Sequence, residues 1–292
     1  MKLGVYIKSF RLRTLPLSMS GIILGTGWAF HENTTLTTQS NSWLIFLFAI
    51  LTTLSLQILS NLCNELGDSL KGTDTGQNAR EAYGLQAGKI TIKQMKRMIY
   101  SFVVASIIFG TALIYTSFGT LFCNQSLVFF CLGALAIIGA ITYTLGKHNY
   151  GYIGLGDLGV FLFFGLLSTM GSYYLQTMTI NADILLAAIA IALPIVGVLN
   201  LNNIRDMPND VQYGKRTFAS WLGPKGARIY HTLLLVCCLL IFTYLERYFV
   251  LISLPVLTWH IWYIFRHEGA KLDIQMPVLM FTTIVIAILA IF

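Results

Sequence analysis

Nine apolar stretches leave this chain few folds to choose from: near residues 15–30, 42–62, 97–118, 125–145, 155–175, 184–204, 229–245, 248–265 and 276–292. A helix that crosses a bilayer takes about 20 residues, which is roughly the length of each stretch. The 292 residues are 56% hydrophobic and 11% charged, against about 25% charged in a soluble domain. Water alone could not solvate such a chain, so an ordinary soluble enzyme is excluded. Aromatic residues make up 13%, too much apolar surface for a disordered chain. The expectation is an all-α, polytopic membrane protein in which residues 1–292 form one domain with nine transmembrane helices. The five cysteines (Cys63, Cys123, Cys131, Cys237, Cys238) form no C-x-x-C pair and read as small core residues, not as a disulfide or zinc framework.

The basic residues give a sidedness. Lys2, Lys8, Arg11 and Arg13 precede the first stretch, with no small-x-small cleavage site after it, so it reads as a true span and not as a signal peptide. Pro16 suits the first turn of that helix. With the N-terminus inside and nine alternating spans, all but Arg247 of the 19 Lys and Arg residues fall on the inner side. This positive-inside bias places the N-terminus in the cytoplasm and the C-terminus outside. It leaves two long inner loops, about 63–96 and 205–228, where the chemistry is expected. The net charge of +7 points to an anionic leaflet or an anionic substrate, not to nucleic acid. No obligate protein partner is implied.

Two acidic patches stand at matching inner helix ends. In "NLCNELGDSLKGTD", Asn61, Asn64, Glu65 and Asp68 fall on one face if the helix continues past the membrane core, with Asp74 beyond on a loop. In "LNNIRDMPNDVQYGKRT", Asn202, Asp206 and Asp210 follow at i, i+4 and i+8. Both patches carry an Asn-x-x-x-Asp step, as in a diverged internal repeat. Pro208 cannot continue a regular helix, so the Asp206–Asp210 face is expected to be a helix end followed by a short new turn. Two carboxylates 6 Å apart repel by about 2.8 kcal/mol at an effective dielectric of 20, so patches brought together call for a cation. An oxygen-only donor set with Asn among it favours Mg²⁺ over zinc or copper. Mg²⁺ also bridges to phosphate oxygens. Lys71, Arg80, Lys147, Arg205, Lys215 and Arg216 surround the patches and would serve a highly charged anion. Beside a lipid core, that anion is a lipid diphosphate.

Three segments carry a resemblance: "LQILSNLCNELGDSLKGTD", "YTLGKHNYGYIGLGDLGVFLFFG" and "LNNIRDMPNDVQYGKRTFASWLG". The chain resembles the UbiA superfamily of intramembrane aromatic prenyltransferases, and within it the branch that prenylates 1,4-dihydroxy-2-naphthoate. The first and third segments look like the superfamily's two Asp-rich motifs, with Glu65 where the family usually has Asp. "GYIGLGD" looks specific to the naphthoate branch. The fold so implied is nine helices around a central cavity. The activity implied is transfer of a polyprenyl group from polyprenyl diphosphate to dihydroxynaphthoate, with loss of CO₂ and diphosphate, giving a demethylmenaquinone for menaquinone synthesis in a bacterial cytoplasmic membrane.

On this reading Asn64, Asp68, Asp206 and Asp210, with Asp74, are expected to hold Mg²⁺ or its waters. Lys147, Lys215 and Arg216 would hold the diphosphate, with Arg205 and Arg80 as further candidates. Asn61 and Asn202 are taken as substrate-side polar groups. Tyr143, four residues before Lys147, matches the superfamily's tyrosine and would steady an allylic cation by cation–π attraction. Asp157 in "GLGD" reads either as a helix N-terminal carboxylate or as a group that contacts a substrate hydroxyl. Arg13 reads either as a charged anchor or as the partner of the substrate carboxylate. The five histidines share no ligand spacing. Transfer to another aromatic acceptor, such as 4-hydroxybenzoate, stays open. So does transport of an organic anion, although transporters place polar groups at mid-membrane on broken helices. The D-x-x-D-G-x-x-A-R pattern of CDP-alcohol phosphotransferases is absent.

Overall fold

The structure is a computed structural model that describes residues 3–73, 83–147 and 149–292. Among the described residues there are no strands; a single parallel bridge joins Ile153 and Arg216. A short helix α1 (Leu3–Ser9) leads through a 3-10 turn to α2 (Leu15–Glu32), whose first turn carries Pro16. Then come α3 (Ser40–Lys71), α4 (Ile92–Phe118) and α5 (Asn124–Thr142). The next crossing, Gly156–Thr177, is built from α6 (Gly156–Val160), a π-helical stretch Phe161–Leu167 and α7 (Ser168–Thr177). It is followed by α8 (Ala182–Gln212) and α9 (Phe218–Tyr244). Two last helices, α10 (Leu254–Arg266) and α11 (Gln275–Leu289), each continue a 3-10 segment.

All nine expected segments are therefore helical. Eight are long and apolar enough to cross a membrane. The ninth, α2, has a polar end at His31 and Glu32 but packs inside the bundle against α3, α7, α8 and α11. Apolarity sorts the helices by position. α8 is the most buried of the eight and touches α2, α7, α9 and α11. α4 and α5 leave most of their apolar surface facing outward, as lipid-facing helices do.

Close helix approach in a membrane depends on small residues, because lipid is as apolar as the interface it leaves. Gly21 and Gly25 of α2 lie against α7: a Cβ at Gly25 would stand 2.2 Å from the Thr169 carbonyl oxygen, and one at Gly21 1.9 Å from Ser168 Oγ. Gly25→Leu is expected to cost at least roughly 1–3 kcal/mol, read as a lower thermal midpoint and aggregation in detergent. An unchanged midpoint would contradict this packing.

Two expectations about the polar end are corrected. The stretch 205–228 is not a long loop: α8 runs to Gln212 and α9 starts at Phe218. Pro208 does not end α8. A proline costs the one hydrogen bond its missing N–H would make, and here tertiary contacts hold the helix on both sides of it. Asn209 Nδ2 donates to the Thr73 carbonyl at 2.6 Å, and Arg205 Nη1 donates to Asp273 at 2.5 Å. Asn202, Asp206 and Asp210 therefore do share one continuous helical face.

Candidate functional site

The ends of α3 and α8 meet over a polar cavity of about 410 Å³. α3 runs straight through Asn61, Asn64 and Asp68 before Gly72, at φ 74°, stops it in the left-handed region. Asn64 and Asp68 from α3 and Asn202, Asp206 and Asp210 from α8 all line this one cavity, together with Tyr143, Arg205 and Lys215. The Asp210 carboxylate feels the charge of both Asp206 and Asp68, so the two acidic patches act on each other. A second, mostly apolar cavity of about 590 Å³ lies deeper among the helices. Arg11, Thr14, Asn64, Tyr143, Leu199 and Asn202 line both cavities and mark where they join.

Each carboxylate has a partner of its own. Asp68 accepts a 2.7 Å hydrogen bond from the Tyr152 hydroxyl, whose oxygen is also 2.7 Å from Thr73 Oγ1. Asp206 receives two bonds from Arg205, at 2.8 and 2.7 Å. Lys215 Nζ lies 3.2 Å from Asp210 Oδ2, an oxygen that is otherwise buried without a hydrogen-bond partner. Burial works against the Lys215 ammonium, yet Asp68 and Asp210 outweigh it and raise the lysine's pKa. Desolvation, then the Asp68 charge, raises the pKa of Tyr152, which keeps it a neutral donor. Among the described residues no three His, Cys, Asp or Glu side chains stand close enough to hold a metal ion unaided. The oxygen-only set suits a hard divalent cation that takes its remaining ligands from a phosphate.

The "GYIGLGD" segment explains how Tyr143 and Tyr152 are placed. A Cβ on Gly151 would meet the Tyr143 carbonyl oxygen at 2.7 Å, and one on Gly156 would meet the Tyr143 hydroxyl at 3.0 Å. Tyr143 also packs edge-on against Tyr150, with ring centroids 5.2 Å apart. Lys71 Nζ sits 3.7 Å over the Tyr152 ring and donates to the Thr144 carbonyl. Thr144 Oγ1 in turn donates to the Cys63 carbonyl and, at 3.2 Å, to Asn64.

Other sequence expectations fare differently. Arg216 does not face the cavity: it is exposed, while Lys215 lines the wall. The cause is the extended segment bridged to Ile153, in which successive side chains point to opposite sides. Lys147 is exposed as well, beyond a turn at Gly146 with φ 92°. Arg205 reaches the cavity, but its donors go to Asn202, Asp206 and Asp273. Asn61 lines the apolar cavity and donates to the Phe10 carbonyl and Thr14 Oγ1, tying α3 to the start of α2. Asp157 is buried and lines neither cavity. Asp74 and Arg80 lie outside the described residues.

Three residues of the site escape a reading of the sequence. Tyr152 has no spacing that marks it; only its place in the glycine-rich segment hints at a role. Tyr152→Phe keeps the ring and removes the bond to Asp68, and about a tenfold loss of kcat/KM is expected with normal folding; unchanged kinetics would show that Asp68 does not need it. Asp273 stands in no motif but holds Arg205. Arg11 looks in sequence like a charged anchor and no more. It adopts φ 51°, lines both cavities and stacks over Tyr83 at 4.4 Å. Among the described residues its buried Nε and Nη2 find no hydrogen-bond partner, whereas Arg13 is exposed and lines only the polar cavity.

Comparison with known proteins agrees with this architecture. The 1,4-dihydroxy-2-naphthoate octaprenyltransferase of Haemophilus influenzae is 39% identical over 267 residues, 89% of this chain and 85% of that protein. The Escherichia coli protein of the same name is 42% identical over 240 residues, 81% of this chain and 75% of that protein. A UbiA homolog from Archaeoglobus fulgidus, solved with DMAPP and Mg²⁺, superposes with a TM-score of 0.64 at 14% identity, covering 98% of this chain and 99% of that one. Residues 23–285 match the model of the UbiA prenyltransferase family, and the chain belongs to that family.

Proposed function

We propose that the protein transfers a polyprenyl group from polyprenyl diphosphate to 1,4-dihydroxy-2-naphthoate, yielding a demethylmenaquinone precursor of menaquinone. The observation that carries this reading is the convergence of both acidic patches on one polar cavity that opens into an apolar one. A diphosphate and a long hydrocarbon tail need such a pair of compartments. The relatives at 39% and 42% identity supply the acceptor by their names.

Asn64, Asp68, Asp206 and Asp210 would hold Mg²⁺ together with the diphosphate oxygens; bound there, it neutralises the charge that grows on the leaving diphosphate. Lys215, kept protonated by its carboxylate neighbours, supplies a further positive charge at that end. The C1–O bond of the allylic diphosphate breaks, and the cationic carbon forms at the junction of the cavities. There the Tyr143 ring offers its π face. The apolar cavity keeps out water that would trap the cation. The ring carbon bearing the carboxylate attacks C1, and the C–CO₂⁻ bond then breaks. Its electron pair restores the aromatic ring, CO₂ leaves, and a prenylated naphthoquinol remains, the reduced form of the quinone.

Arg11 is well placed to pair the acceptor carboxylate, since two of its buried guanidinium nitrogens have no hydrogen-bond partner among the described residues and the side chain lines the junction. Arg11→Ala should raise KM for the naphthoate by about tenfold to a hundredfold and leave KM for the prenyl diphosphate unchanged. The reverse pattern would move Arg11 to the diphosphate. The reaction itself is tested with purified protein, Mg²⁺, a polyprenyl diphosphate and dihydroxynaphthoate, with the products followed by mass. Prenylated naphthoquinol and released CO₂ are expected. Product from 4-hydroxybenzoate alone would overturn the choice of acceptor. The positive-inside bias supports a site that faces the cytoplasm, and the bacterial relatives support a bacterial inner membrane.

A further inference from the structure

The first turns of α4 carry a basic groove that shares no residue with either cavity. It is lined by Ile92, Lys93, Lys96, Arg97, Tyr100 and Ser101. Lys93, Lys96 and Arg97 follow at i, i+3 and i+4, so they share one helical face, and Lys89 lies just ahead of the helix. All four are exposed. Among the described residues none of these four is seen in an ion pair. The sequence has no Asp or Glu between Glu81 and Asp157.

This placement is unfavourable for the isolated helix. Like charges at i+3 and i+4 repel, and Lys93 sits at the positive end of the helix dipole. The helix start needs no help from them: Thr91 and Gln94 cap it reciprocally. A bound anion would offset both costs. Farther along α4, Ile107, Ile108 and Tyr115 are apolar and more than half exposed, and Tyr100 is 71% exposed between them and the cations. The inward side of α4 packs on α3, with Met95 fully buried. Cations, then an aromatic ring, then an apolar face is the order met by a molecule whose phosphate sits at the membrane surface and whose chains lie alongside the helix.

We propose that this groove binds the phosphate headgroup of an anionic glycerophospholipid, with the acyl chains running along the exposed face of α4. The test is native mass spectrometry of the full chain in detergent, titrated with phosphatidylglycerol or with phosphatidylcholine of the same acyl chains. The variant Lys93→Gln/Lys96→Gln/Arg97→Gln is compared with Lys225→Gln/Arg266→Gln/Lys271→Gln, which removes as much charge from other exposed positions. Preference for phosphatidylglycerol is expected, with affinity falling on the order of a hundredfold in the first variant and less than about threefold in the second. Equal losses in both variants would mean diffuse surface charge and would overturn the proposal, as would full retention in the first. Displacement of the lipid by stoichiometric farnesyl diphosphate would also overturn it, in favour of a substrate-capture site.

Discussion

Asp68→Asn and Asp206→Asn are each expected to lower turnover by about a thousandfold while the protein stays folded. The two residues come from different helices yet line the same cavity. Asn removes one negative charge from each and keeps the volume. Folding should survive, because the amide carbonyl that Asp68→Asn introduces can still accept the Tyr152 hydroxyl bond. Arg205 keeps Asp273 and Asn202 when Asp206 is neutralised. Monodisperse elution and a nearly unchanged thermal midpoint check the fold, and turnover at saturating Mg²⁺ checks the chemistry. Near-normal turnover in either variant would remove that residue from the diphosphate site.

The second large effect is expected at Lys215. It is flanked by Asp68 and Asp210, which together hold it protonated against the cost of burial. Lys215→Met takes away a charge that the diphosphate would meet and leaves two carboxylates uncompensated. A desolvated charge pair that loses one member costs about 2–5 kcal/mol, so kcat/KM should fall by about a hundredfold. The same change should tighten divalent-ion binding in the absence of substrate, since Lys215 competes for the same oxygens. A variant that loses activity and also binds the ion more weakly would show that Lys215 merely supports the fold.

These two sets of residues also show what can be read in a sequence of this kind. The membrane-crossing helices follow from apolar stretches separated by charged ones, because a bilayer demands that pattern whatever the tertiary contacts. Asn64, Asp68, Asn202, Asp206 and Asp210 are legible because helical spacing puts each set on one face. That the sets meet depends on the packing of α3 against its neighbours and on α8 staying helical through Pro208. A local rule about proline cannot foresee the bonds of Asn209 and Arg205 that hold α8 there. Lys215 and Arg216 look equivalent in the chain; one backbone bridge to Ile153 separates them. Arg11 is hidden for the opposite reason. A basic residue before a first span already has a sufficient explanation in membrane sidedness, and only the cavities around it show another.

The proposed chemistry needs a divalent ion held jointly by α3 and α8 with a prenyl diphosphate. Mn²⁺ can stand in for Mg²⁺ and be followed by electron paramagnetic resonance, with farnesyl thiodiphosphate as an unreactive partner. Wild type is expected to bind Mn²⁺ strongly only when the diphosphate analogue is present, and both Asp68→Asn and Asp206→Asn are expected to lose that binding. Full retention of the ion in either variant would mean that one helix holds it alone, which contradicts the account.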